Sequence, residues 1–256
     1  FSGTKAVKPK STFNYRPRSK YWQLLRRNVL VIVKQPVFLM NTLLSSAVPT
    51  LIFLAGVLSA DFNWEKLFLF DQPRPFATFW VGLASTPALL TNLSATAITR
   101  EGRAFWETKV LPVTAWDNIR ARINTTVLIN LTASFFVVGL IAFGFTSELP
   151  SIFPGLFFVA MLTWFLASTD LAINIYRPLL SWSNPAAAIK NNLNVLLSLA
   201  YRPLLVLVPL GVARCFPGVG INRLLFSSGF LFFLLTLFIR RFLQTVALER
   251  FNQISG

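Results

Sequence analysis

Apolar residues fall into six long runs, 37–59, 76–99, 123–145, 152–176, 193–213 and 224–239, separated by short polar and basic stretches. A hydrocarbon core of about 30 Å is crossed by roughly 20 apolar residues in a helix. The last run is the shortest, and at about 1.5 Å per residue it reaches roughly 24 Å. Arg223 and Arg240 flank it, and their side chains can snorkel to the headgroups to make up the difference. The pattern predicts an all-α, polytopic membrane protein with six transmembrane helices. Before the first run, residues 21–35 place Trp22, Leu25, Val29 and Ile32 at helical spacing with Arg26 and Arg27 beside the stripe. This reads as an amphipathic helix lying at the membrane interface and turning inward at Pro36, or as a basic anchor that only fixes topology. Residues 1–20 are basic and contain Pro and Ser, as a flexible segment or one lying on anionic lipid would. The remaining 21–256 form one transmembrane domain.

Composition sharpens this picture. The chain is 54% hydrophobic and only 13% charged, about half the charge of an ordinary soluble domain. Its net charge of +15 sits between the apolar runs rather than in one patch, which excludes the footprint of a nucleic-acid binder. Nineteen of the 24 Lys and Arg lie in 1–36, after the second and fourth runs, or after the sixth. By the positive-inside rule, both termini and the longer polar loops are cytoplasmic. Zero His and a single Cys, Cys215, leave no zinc, haem or iron–sulfur site, no internal disulfide and no His-based triad. No Gly precedes a Lys, so the phosphate-cradling G-x-x-x-x-G-K-[ST] loop is missing.

Two cytoplasmic loops carry pattern. In 100–122, Arg103 and Glu107 are spaced for a helical ion pair, Pro112 breaks the helix, and Thr114 with Asp117 can cap the next. The expected product is a helix–break–helix elbow with Phe105 and Trp106 at its tip, either as anchors for a partner's pocket or as interfacial-belt aromatics. In 177–192, Asn184 suits an N-cap and Pro185 a first helical position. Asn191, Asn192 and Asn194 face protein or water, or mark the interfacial depth.

Two charges fall inside runs: Asp170, with Asn174 one turn below, and Arg202, just before Pro203. A central Arg costs roughly 2.5–3.5 kcal/mol, against about 0.3–0.6 contributed by each Leu or Val. The twelve Leu and Val between Leu193 and Val212 offset it. An Asp170–Arg202 pair facing the bundle interior is expected, either pinning two helices or lining a pathway.

The segment AITREGRAFWETKVLPVTAWDNIRARI resembles the "REGKxxWxxKxxP" stretch of permease subunits of bacterial ATP-binding-cassette exporters of the type-2 class, with Arg100, Glu101, Gly102, Trp106, Lys109 and Pro112 in matching places. RPLLSWSNPAAAIKNNLN is similar to that family's "RPxLxWxNxxxAxKxNxN", through Arg177, Pro178, Leu180, Trp182, Asn184, Ala188, Lys190, Asn192 and Asn194. The family often has an Asp shortly before the Arg-Pro, where this chain has Asn174. Members tend to be longer, which implies half of a permease or one domain of it. The resemblance implies a permease that is not itself an enzyme and holds no cofactor, with ATP and Mg confined to a partner ATPase subunit. It implies residence in the bacterial cytoplasmic membrane, pairing with a second permease unit, and outward movement of a lipid, peptide or amphipathic substrate. The elbow becomes the coupling element, with Phe105 and Trp106 entering the ATPase cleft and Glu101, Arg103 and Glu107 as polar rim. The alternative is a membrane anchor or assembly subunit that does not transport.

Overall fold

The computed structural model describes residues 19–58, 75–144, 149–216 and 218–254. The basic segment 1–18 and most of the expected connection 60–75, with Lys66 and Arg74, lie outside the described residues. Among the described residues the fold is all-helical. α1 (Lys20–Lys34) and α2 (Pro36–Leu58) meet at Gln35, whose extended backbone (φ −103°, ψ 109°) turns the chain through 94°. Pro36 imposes this, because the ring excludes the residue before it from helical geometry. α1 buries Leu24, Leu25 and Ile32 and exposes Trp22, so Trp22 stands apart from the stripe the spacing suggested.

α3 (Pro75–Leu90) stops well short of the expected Thr99, and the chain runs through tight turns at 93–98 into a 3₁₀ turn, Thr99–Ala104. A short helix, α4 (Phe105–Val110), then leads to α5 (Ala115–Gly144). Thr114 caps α5 as expected: its Oγ1 accepts from the Asp117 amide at 3.0 Å and donates to Asp117 Oδ2 at 2.8 Å. α6 (Leu149–Tyr176) is followed by the four-residue α7 (Ala187–Lys190) and by α8 (Leu193–Tyr201). A 3₁₀ stretch, Arg202–Val206, breaks the run before α9 (Leu207–Cys215), where Pro203 has no N–H to continue the ladder. α10 (Ile221–Phe242) passes through a π-helical turn, Leu243–Ala247, into α11 (Leu248–Gln253).

Four stretches are long and apolar enough to cross a membrane: Ala115–Leu140, Leu149–Tyr176, Leu193–Cys215 and Ile221–Gln253. A fifth is counted if α1 and the start of α2 are taken as one bent span. α3, at 16 residues, is the short one. α6 is the central post, packed by α10, α5 and α3. Close approach needs small residues: a Cβ on Gly155 would sit 2.2 Å from the ring of Trp80, which is fully buried on α3. Phe157 and Phe158 of α6 meet Phe226 and Phe232 of α10 at ring separations of 4.9 and 5.7 Å.

Gly155→Ala forces α3 off α6 and should cost about 1–3 kcal/mol. Gly139→Ala on α5, where a Cβ meets nothing within 4 Å, should be neutral or stabilising through helix propensity. Thermal unfolding in detergent checks the pair; equal midpoints would contradict the α3–α6 contact.

Candidate functional site

Where α3 ends, the backbone has left the helix while still inside the bundle: Thr91, Leu93, Ser94, Ala95, Thr96, Ala97 and Ile98 are all buried. Non-helical backbone away from water needs partners for its carbonyls and amides. Three arginines supply the donors. Arg202 Nη1 donates to Leu89 O at 2.5 Å, and Nη2 to Thr91 O at 3.0 Å. Arg100 Nη1 donates to Leu93 O, and Arg122 Nη1 to Ala97 O, at 2.7 and 2.6 Å. Asn174 on α6 supplies the acceptor, its Oδ1 receiving the Ile98 amide at 2.7 Å while Nδ2 donates to Thr99 Oγ1 at 2.9 Å.

Asp170 and Arg202 form an ion pair at 2.7 Å, both almost fully buried, and the Tyr201 hydroxyl donates to the other carboxylate oxygen at 2.7 Å. The pair therefore belongs to the capping of α3 as well as to the α6–α8 contact.

Glu101 is a second node. Its side chain is 4% exposed and faces Arg122 at 2.6 Å and Arg27 of α1 at 3.4 Å. Thr108 Oγ1 donates to the same carboxylate and accepts from Arg27 Nη1 at 2.7 Å. One carboxylate thus ties α1, the 3₁₀ turn, α4 and α5 together. Glu101 was expected in the polar rim with Arg103 and Glu107; instead two guanidinium groups draw its carboxylate inward to the floor of that region, where a buried charge must be paired.

The two distinctive loops close on each other. Gly102 has φ +52°, and a Cβ there would lie 2.8 Å from the Trp182 ring. Trp182 Nε1 donates to Thr99 O at 2.6 Å, and the Leu179 amide to Thr99 Oγ1 at 3.2 Å. Asn194 Nδ2 donates to the Arg177 carbonyl at 2.7 Å, which folds the loop back onto α8. Asn192 caps α8 by accepting from the Asn194 amide at 3.0 Å, and Asn184 accepts from the Ala186 amide at 2.8 Å. Pro178 is half-buried, and Lys190 is exposed at the end of α7.

Compared with models of known families, with curated proteins and with solved structures, the chain matches none.

Around α4 the side chains divide sharply. Phe105 is 0% exposed, stacked edge-on against Phe251 of α11 with centroids 5.6 Å apart. It was expected at the tip beside Trp106; consecutive residues on a helix point about 100° apart, and Phe105 faces the bundle. Trp106, 57% exposed, and Val110, 69% exposed, face outward, with Pro112 exposed beyond them. Lys109 Nζ donates to the Phe251 carbonyl at 2.6 Å over the two Phe rings, and partial desolvation lowers its pKa. The Arg103–Glu107 pair that the spacing suggested is absent among the described residues. Glu107 lines a groove of about 1030 Å³ against α1, with Arg26 and Arg27. Arg103 and Trp106 line another of about 1160 Å³ with Arg177 and Arg250.

Sequence reading missed Thr99, Thr108, Arg122 and Phe251 as parts of the site, and noted Asn174 without its bonds to Ile98 and Thr99. An Asn within an apolar run and a polar string, Thr91-Asn92-Leu93-Ser94-Ala95-Thr96, were the available signals.

Glu101→Gln leaves Arg122 buried without a counter-charge and should destabilise the fold by about 3–5 kcal/mol. The double variant Glu101→Gln/Arg122→Gln should recover part of that loss. Chemical unfolding of the three proteins reads this; a Glu101→Gln change within about 0.5 kcal/mol, the usual range for surface substitutions, would place Glu101 outside the network.

Proposed function

We propose that this chain is the membrane-spanning permease subunit of an ATP-binding-cassette exporter, and that the elbow is where a separate ATPase subunit docks. The observation that carries the reading is the split at α4. Phe105 and Lys109 root the helix in the bundle, while Trp106 and Val110 stand bare between two grooves with exposed Arg103 and Glu107 beside them. An exposed Trp framed by charge is the usual anchor of a protein interface. The rooted node behind it gives a push on Trp106 a stiff route into α1 and α5.

Further support comes from where the ends lie. α1 reaches the elbow through Arg27–Glu101, and α11 through Phe251, so the first and last described helices meet at one end of the bundle. That suits an even number of crossings, six in this reading, with α2 and α3 as the first two. Nineteen of 24 basic residues fall in segments assigned to that end, which makes it cytoplasmic and both termini with it. The membrane is then the bacterial cytoplasmic membrane. The ATPase brings ATP and Mg, the chain needs no cofactor of its own, and a second permease unit completes the transporter. The basic groove at Arg103, Arg177 and Arg250 suits a docking cleft with acidic edges.

The test is purification of the tagged chain in mild detergent together with an ATPase carrying the G-x-x-x-x-G-K-[ST] loop. Trp106→Ala should weaken retention of that subunit about thirtyfold, the loss of a contact worth about 2 kcal/mol, with the fold intact because Trp106 buries little. A complex without such an ATPase, or full retention by Trp106→Ala, would refute the docking role.

A further inference from the structure

Between α5, α6 and α10, toward the elbow end of the bundle, lies a pocket of about 300 Å³. Arg120 of α5 and Arg240 of α10 line it, and both are exposed. Each guanidinium rests against an aromatic ring, Arg240 at 5.8 Å from the centre of Trp116 and Arg120 at 5.1 Å from that of Tyr21 on α1. Tyr21 is itself fixed, its hydroxyl accepting from Asn124 Nδ2 in the pocket wall. A ring contact orients a guanidinium without using the N–H donors at its edge. Those donors are free: among the described residues neither arginine donates a hydrogen bond or meets a carboxylate, and no acidic residue lines the pocket. Arg100, Arg122 and Arg202, by contrast, spend their donors on backbone carbonyls.

The depth of the two cations identifies what fits. Arg240 ends the apolar run 224–239, and Arg120 stands three residues before the run that begins at Ile123. Both therefore sit where headgroups meet hydrocarbon on the elbow side. The pocket continues inward from there. On α10, Thr236 lies one turn deeper than Arg240, about 6 Å. On α6, Trp164 stands twelve residues before Tyr176, about 18 Å from the elbow end of that helix. Ile123 and Trp164 make the deeper wall apolar, and the buried hydroxyls of Ser168 and Thr236 are spent on Trp164 O and Phe232 O at 2.8 and 2.7 Å. The pocket thus joins a doubly cationic mouth at headgroup level to an apolar floor at acyl-chain level.

We propose that this pocket binds an anionic phospholipid of the elbow-side leaflet. The phosphate accepts from Arg120 and Arg240, and the upper part of one acyl chain lies against Ile123 and Trp164. A basic pocket between spanning helices recognises lipid headgroups in this way. A zwitterionic headgroup would bring its own ammonium beside two unpaired guanidiniums, so lipids with net negative charge are selected. A soluble phosphate ester matches the mouth alone and forfeits burial against the floor. The pocket shares no lining residue with the two grooves beside Trp106, so it does not depend on which protein docks at the elbow.

Photolabelling in phosphatidylcholine nanodiscs tests this with two probes, phosphatidylglycerol and phosphatidylcholine, each bearing a diazirine at the same place high in one acyl chain. Peptide mapping reads label at Ile123 and Trp164 relative to label at Phe238, an exposed residue of α10. That ratio cancels any general enrichment of anionic lipid around a basic chain. It should be about tenfold higher for the phosphatidylglycerol probe, within what two cations at a membrane surface supply. Arg120→Gln/Arg240→Gln should bring the probes within about twofold of each other at an unchanged unfolding midpoint, since both side chains are exposed and unpaired. Equal ratios in the unmodified protein, or an anionic preference retained in the double variant, would overturn the proposal. So would loss of the label on adding excess glycerol phosphate, because the mouth would then serve a soluble anion. The probe comparison needs no variant, so it stands even if the double variant fails to fold.

Discussion

Arginine side chains standing in for helix hydrogen bonds are the constraint on which the structure turns. α3 gives up its helix at Leu90, inside the bundle, and the carbonyls of Leu89, Thr91, Leu93 and Ala97 are taken by Arg202, Arg100 and Arg122. A guanidinium is suited to this, since its donors lie in one fixed plane and reach several acceptors at once. The cost of burying two of these cations is met by carboxylates, Asp170 for Arg202 and Glu101 for Arg122, whereas Arg100 forms no ion pair among the described residues. Remove the guanidinium groups and the carbonyls at this depth have neither water nor protein to bond.

Unwinding at that point also has a geometric consequence. A helix continued straight to Thr99 would carry the chain out of the bundle end. The turns at 93–98 instead keep Thr99 beside Asn174 and under Trp182, so the 3₁₀ turn, α4 and the second loop form one compact cap. α1 lies across this cap through Arg27, and α11 beneath it through Phe251. Under the proposed function, a partner gripping Trp106 acts on an assembly already joined to α1, α5 and α6, rather than on a loose loop.

The coarse fold could be read from the chain because its signals are strong and local. Long apolar runs fix helices in a bilayer-like length range, Pro36 fixes the corner after α1, and Thr114 with Asp117 fixes the start of α5. The Asp170–Arg202 contact was also within reach, since two opposite charges in neighbouring apolar runs have few other partners. What sequence could not yield was the early end of α3. Periodicity carries no mark for a carbonyl bonded by an arginine more than a hundred residues away; Pro87 sits inside the helix rather than at its end, and the polar string at 91–96 breaks the apolar run without saying what its backbone bonds to. The sides of α4 were hidden for a similar reason. Phe105 and Trp106 are equally apolar, and only the docking of α11 decides which of them is buried.

Residue-resolved hydrogen–deuterium exchange of the unmodified protein in nanodiscs examines the arginine-held turn without disturbing it. The amides of 94–102 should exchange as slowly as those in the middle of α6, with Ile98, bonded to Asn174, among the slowest. Exchange across that stretch at the rate of an open surface loop would mean that the turn is not held, and that neither the buried clasp nor the rigid elbow exists.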